Sequence, residues 1–114
     1  MNEMKLDYQP LPYGAMVWWD KCEDAACYSV RLSIVDKNDV PHEICQISTD
    51  RNKLYHSFTD LGNNDRGYTV TVQAEDRQGM ILCQSSLNFK VSGAVRVSGI
   101  ENTVTVQQKA VNWY

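Results

Sequence analysis

Cysteine and histidine are the side chains of this sequence best suited to chemistry, and there are four cysteines and two histidines among 114 residues. Four residues separate Cys22 from Cys27, and two separate His42 from Cys45. Thiolate and imidazole groups are the ligands that zinc prefers. The C-x-x-C pairs of strong zinc motifs are absent, and cysteines often serve as small buried apolar residues. The spacing therefore favours loop and strand thiols with a surface histidine, and no metal site is predicted.

Catalysis by a cysteine would need a histidine base held next to it. The candidates are His42 and His56, and alternation places His56 on the inner side of a strand together with Phe58. The six glycines are dispersed, and neither a phosphate-binding loop nor a G-x-S-x-G motif is present. We therefore predict no enzymatic activity, no catalytic residues and no cofactor.

The cysteines are even in number but sparse for a disulfide scaffold. Met1 to Lys5 has no apolar stretch typical of a signal peptide, so free thiols are expected. If one pair bridges, Cys22 and Cys27 are the local candidates. The compartment stays open: the cytoplasm, an assembled particle, or export with the signal removed.

Charge and hydropathy exclude two classes of partner. The net charge is −3 and the two signs are mixed along the chain, whereas a nucleic-acid binder needs a clustered basic face. The longest apolar runs, such as Ala15–Trp19 and Met80–Cys83, are a few residues long, and a membrane-spanning helix needs about 20.

Alternation of apolar and polar residues, with a period of two, predicts β-strands nearly everywhere. The N-terminal segment, interrupted by Pro10, Pro12 and Gly14, suits an edge strand. Six or seven short strands separated by turn residues favour a sandwich or barrel. The predicted strands are Ala15–Trp19, Tyr28–Ile34, His42–Ser48, Leu54–Thr59, Tyr68–Glu75 and Leu87–Val91.

The order of four segments resembles a fibronectin type III domain: Trp19-Asp20, Tyr28–Leu32, Phe58–Leu61 and Tyr68–Ala74. The resemblance covers about residues 5–91. It implies an all-β, seven-stranded antiparallel β-sandwich in which Leu61 plugs the base and the Tyr68 hydroxyl bonds back to the preceding loop. An immunoglobulin domain is the nearest alternative, and it fits less well because Trp19 precedes all four cysteines.

The pattern divides the chain into a sandwich domain, residues 1–91, and a β-prone tail, residues 92–114. Within the domain, Met16 and Trp18 are predicted to face away from the core. The predicted core comprises Ala15, Val17, Trp19, Tyr28, Val30, Leu32, Phe58, Leu61, Tyr68, Val70, Val72 and Ala74.

The tail has two alternating segments, Val95–Ser98 and Thr103–Gln107, around Gly99–Asn102. This pattern predicts a hairpin or an extended tail. A lone hairpin is marginal in water, so the tail would dock on its own sheet or add to the sheet edge of another chain. Val95, Val97, Val104 and Val106 are therefore candidate contact residues.

Aromatic residues outside the predicted core are the other candidates for interaction, because tryptophan and tyrosine anchor interfaces. They are Tyr8, Tyr13, Trp18, Trp113 and Tyr114. The alternative is that Tyr8 and Tyr13 pack on the first strand and that the tail covers Trp18.

The fold resemblance implies a non-catalytic module for protein interaction or structure, with a protein partner or self-association through a sheet edge or the tail. One expected role is a subunit of a larger assembly, such as a decoration protein of a phage or viral particle. The alternative is an exported surface or carbohydrate-active module that contacts glycans through exposed aromatics.

Overall fold

The computed structural model describes residues 4–64 and 66–91 as two packed antiparallel sheets. One sheet has the order β1-β2-β5, and the other has the order β4-β3-β6-β7. This confirms the predicted all-β, seven-stranded sandwich. None of the described residues forms a helix that could cross a membrane. The strands are β1 (Leu6–Leu11), β2 (Gly14–Trp19), β3 (Cys27–Val35), β4 (Pro41–Asp50), β5 (Tyr55–Phe58), β6 (Tyr68–Glu75) and β7 (Ile81–Phe89).

The core lies between the sheets and is built from alternate residues of the strands, because successive side chains of a strand point to opposite faces. Eleven of the twelve predicted core residues are buried. Leu61 is the exception: it is half-buried and packs against the core from the β5–β6 loop. The buried hydrophobic residues that alternation did not predict are Met4, Ala25, Cys83, Phe89 and Val91.

The last strand differs from its prediction, since β7 begins at Ile81 and ends before Val91. Its inward positions are Cys83, Ser85, Leu87 and Phe89, which pair with the inward residues of β6. A serine among these positions interrupts the apolar alternation. The Ser85 hydroxyl donates a hydrogen bond to the Met4 carbonyl, which satisfies its polar group inside the sandwich.

That bond also brings the beginning of the chain onto β7. Tyr8 of β1 adds a ring contact with Phe89, with ring centroids 5.7 Å apart. β1 and β7 therefore lie at the same side of the sandwich, although they belong to different sheets. β5 and β4 are the terminal strands at the other side.

The loop between β5 and β6 is tied to the strands at several points. The Tyr68 hydroxyl donates to the Gly62 carbonyl over 2.6 Å, as expected from the sequence. The Leu61 amide donates to the Tyr13 carbonyl over 2.9 Å. Gly67 has a φ of +83°, and a Cβ there would lie 2.6 Å from the Phe89 carbonyl oxygen. Only glycine fits this turn into β6.

Candidate interaction surface

The cysteine and histidine residues considered for zinc are not brought together. His42 Nε2 lies 2.8 Å from the Asp36 carboxylate in the β3–β4 hairpin. Cys27 Sγ lies 4.0 Å from Glu75 Oε1. Over residues 4–64 and 66–91, no three side chains of cysteine, histidine, aspartate or glutamate are placed to share a metal ion.

The local cysteine pair suggested by the sequence is wrong, because the neighbour of Cys22 is Cys83. Their Sγ atoms are 2.9 Å apart, across 61 positions of sequence. Cys22 lies in the β2–β3 loop, and its amide donates to the Tyr28 hydroxyl over 2.9 Å. Burial, and then the hydrogen bond with Cys83, raise the Cys22 pKa to about 11.

His56 lies on the inner face of β5, as predicted. It is opposite Val17 of β2, and its ring meets Phe58 edge-on, with centroids 4.8 Å apart. Burial lowers the pKa of His56 below its usual value, and the positive charge of Lys53 lowers it further. The ring is therefore neutral near pH 7 and packs as part of the inner layer.

The outer face of the three-stranded sheet carries an aromatic pair. Trp18 of β2 lies directly opposite Tyr55 of β5 in the register. Trp18 is 37% exposed and Tyr55 is 52% exposed. The outward position of Trp18 is the one that alternation predicted, because Val17 and Trp19 on either side are buried.

Polar and charged groups flank this pair along the same row. Asp7 of β1 lies opposite Trp18 on the other side. Lys53 Nζ lies 5.3 Å from the centroid of the Tyr55 ring, within the range of a cation–π contact. The outer face thus carries an acidic group beside Trp18 on the β1 side and a basic group over Tyr55 on the β5 side. We call Asp7, Trp18, Lys53 and Tyr55 the aromatic row.

The remaining predicted aromatics fall into different settings. Tyr8 is half-buried and packs on Phe89, so it faces the interior and not the solvent. Tyr13 is 51% exposed in the β1–β2 turn and has a φ of 56°. The predicted tail contacts lie outside the described residues: Val95, Val97, Val104, Val106, Trp113 and Tyr114.

Tyr55 was missed as a candidate although the sequence carried the signal. If His56 and Phe58 face inward, Tyr55 must face outward on the same strand. The pairing of Tyr55 with Trp18 had no such signal, because it depends on the register between two strands that are distant in sequence.

Neither protein-family models nor curated proteins give a match to the chain. Among solved structures, the FN5 domain of Drosophila Lar is similar, with a TM-score of 0.59 and 20% identity over 79% of this chain and 94% of that one. Pectate lyase PelI from Erwinia chrysanthemi, solved in complex with tetragalacturonic acid, has a TM-score of 0.53 and 11% identity. That match covers 75% of this chain and 28% of the lyase chain.

Two features of the structure agree with the first similarity. A tyrosine near the start of β6 bonds to the backbone of the preceding loop, as in the tyrosine corner of such sandwiches. A tryptophan at the end of β2 is 3% exposed and packs on Tyr28 of the facing sheet. The chain therefore has the fibronectin type III fold.

Proposed function

We propose that the chain is a non-catalytic structural module that associates with other copies of itself through the outer face of its three-stranded sheet. The observation that carries this proposal is the exposed Trp18–Tyr55 pair on neighbouring strands. Tryptophan and tyrosine supply much of the binding energy at protein interfaces when a partner removes them from water.

The surroundings of the pair match the anatomy of an interface. Met16, the next outward residue of β2, is half-buried and extends the apolar centre. This apolar centre is flanked on the neighbouring strands by the polar residues Asp7, Gln9 and Ser57. An apolar centre with a polar rim is the usual arrangement at protein contacts.

Charge order within the aromatic row favours a second copy as the partner. Asp7 lies on the β1 side of Trp18, and Lys53 lies over the Tyr55 ring on the β5 side of the sheet. A two-fold axis that lies in the interface and perpendicular to the row reverses the row of one copy against that of the other. Asp7 of each copy then faces Lys53 of its partner, so the charges complement each other while the aromatics meet at the centre.

Sheet edges give such a module a second means of association. β5 and β4 are terminal strands, and the outer edge of a terminal strand presents backbone groups that can pair with another chain. The predicted strands of residues 92–114 would supply a partner for such an edge. Assemblies of this kind include the decoration of phage or viral particles, which remains our proposed setting.

Light scattering on the full chain tests the proposal. The weight-average mass should rise with concentration above the monomer mass of 13.0 kDa. Trp18→Ala should raise the dissociation constant by about 30-fold, which corresponds to a loss of about 2 kcal/mol at a central aromatic. Tyr13→Asn is the matched control. It removes an exposed aromatic outside the row, and asparagine suits the positive φ of this position.

Charge exchange tests the orientation. Asp7→Lys should weaken association because it places two lysines opposite each other, and the double variant Asp7→Lys/Lys53→Asp should restore it. A full chain that stays monomeric at every concentration would refute self-association. Equal weakening by Tyr13→Asn and Trp18→Ala would refute the assignment to the aromatic row.

A second candidate function is contact with an acidic oligosaccharide. The exposed Trp18 ring and the adjacent Lys53 ammonium are groups that a uronic acid could contact, although Lys53 already covers one face of Tyr55. The similarity to a lyase solved with tetragalacturonic acid motivates this test. Titration with that tetrasaccharide should change tryptophan fluorescence in the native chain and not in Trp18→Ala. An unchanged signal in both would exclude this candidate.

A further inference from the structure

We propose that Cys22 and Cys83 form a thiol–disulfide site that joins the β2–β3 loop to β7 when the protein reacts with a small-molecule disulfide. Cys22 follows β2 of the three-stranded sheet, and Cys83 belongs to β7 of the four-stranded sheet. Their Sγ atoms are 2.9 Å apart. Since a disulfide has an S–S bond of about 2.04 Å, closure needs an approach of only about 0.9 Å.

Contacts outside the pair fix the backbone on both sides. The amide of Cys22 is bound to the Tyr28 hydroxyl, and its carbonyl accepts from the Ala25 amide over 3.1 Å. Cys83 is paired with Ala74 in the β6–β7 ladder. The two thiols therefore lie in contact because the fold holds the backbone on both sides.

The reaction is an exchange with a disulfide of low molecular weight, such as oxidised glutathione. A thiolate of the pair attacks one sulfur of the reagent, forms a mixed disulfide and releases one glutathione thiol. The second thiol of the pair then loses its proton and attacks the mixed disulfide, which releases the other glutathione. Two protein thiols become one disulfide, and one glutathione disulfide becomes two thiols.

Accessibility assigns the order of attack. Cys83 is buried and Cys22 is half-buried, so Cys22 meets the reagent first and Cys83 resolves the intermediate. The raised pKa of Cys22 leaves little thiolate at neutral pH. The site therefore reacts slowly with a passing oxidant and relies on the nearby Cys83 to complete the bond.

The other two cysteines provide an internal control. Cys27 lies beside the Glu75 carboxylate, and Cys45 lies on β4 opposite Leu32. Among residues 4–64 and 66–91, Cys22 and Cys83 are the cysteine pair whose Sγ atoms are in contact. The double variant Cys27→Ser/Cys45→Ala therefore keeps only the proposed site.

The bond would close a long loop that contains four complete strands, β3 to β6. A crosslink between distant positions restricts the unfolded chain more than the folded one, so oxidation should stabilise the fold. We expect the midpoint of thermal unfolding to rise by about 10 °C or more on oxidation and to return when a reductant is added.

The test incubates the full-length double variant with oxidised glutathione at about pH 9, where more thiolate is present. After alkylation of any remaining thiols, mass spectrometry should show an unalkylated monomer. Its mass should be about 2 Da, the mass of two hydrogens, below that of the reduced, unalkylated chain. Peptide mapping should join Cys22 to Cys83. Adding Cys22→Ser to the double variant should abolish both the bridge and the thermal shift. Adding Cys83→Ala instead should have the same effect, and it introduces no buried hydroxyl.

Three results would overturn the proposal. One is a folded protein that retains two alkylatable thiols after prolonged exposure. Another is a persistent glutathione adduct on Cys22, which would show that Cys83 does not resolve it. The third, in the native chain, is a bridge that joins Cys22 to Cys27 or Cys45 instead.

Discussion

His56 lies on the inner face of β5, and its environment makes the stability of the fold depend on pH. Burial, together with the positive charge of Lys53, lowers its pKa below the usual value of 6.5. The unfolded chain therefore binds more protons than the folded chain as pH falls below about 6.5. The free energy of unfolding is highest above this value and decreases until the pH reaches the lowered pKa of the folded state.

Urea unfolding at a series of pH values between about 5 and 8 measures this dependence. His56→Phe should flatten the curve in this window because it removes the titrating group. His42→Gln is the matched control, since His42 is exposed beside Asp36, and it should leave the His56 contribution in place. A curve that His56→Phe leaves unchanged would show that another group causes the dependence.

At the scale of the elements, Gly14 allows β2 and β5 to approach each other. A Cβ on Gly14 would lie 2.0 Å from the Phe58 carbonyl oxygen and 3.2 Å from the Thr59 Cα. These are backbone atoms, so they cannot move without disturbing the strand pairing that positions Tyr55 against Trp18. Gly14→Ala should lower the free energy of unfolding by about 1–3 kcal/mol.

Gly62→Ala is the control for this prediction, because a Cβ there meets nothing within 4 Å. Its effect on the urea midpoint should stay within about 0.5 kcal/mol. If the two alanine variants unfolded at the same midpoint, the close contact at Gly14 would not limit the β2–β5 pairing.

A strand can be predicted from the sequence when its apolar residues alternate with polar ones in the same order as its buried and exposed positions. Tyr68–Glu75 alternates without a break, and its strand and core face were predicted correctly. In β7, Ser85 occupies an inward position because its hydroxyl bonds to the backbone carbonyl of Met4, 81 positions earlier in the sequence. No local pattern marks such a contact, so the first half of that strand was missed.

The candidate sites show the same division. The outward position of Trp18 follows from its neighbours in sequence, whereas the Trp18–Tyr55 pair depends on long-range register. The contact between Cys22 and Cys83 depends on the closure of the whole sandwich, and sequence proximity pointed to Cys27 instead. The local sequence predicts which face of a sheet a side chain occupies. Its neighbours on other strands are determined only when the sheets assemble.

At the scale of the whole molecule, the described residues from Met4 to Val91 already form a continuous buried core. The seven described strands, and the Trp19–Tyr28 contact that joins the two sheets, lie within this range. We therefore predict that a chain ending at Gly93 folds alone and unfolds within a few degrees of the full chain, since a loss of about 1 kcal/mol shifts the midpoint by about 4–8 °C. Ending at Gly93 keeps the new carboxylate away from buried Val91.

Calorimetry and light scattering on the two chains separate stability from association. If the shortened chain unfolds at the same midpoint as the full chain but associates more weakly, residues 92–114 contribute to assembly in addition to the aromatic row. An equal midpoint with equal association would leave the aromatic row as the sole interface of our proposal. A shortened chain that is unfolded would contradict the domain boundary, because the sandwich would then need the tail for its own stability, and the tail could not be a free strand for a partner's edge.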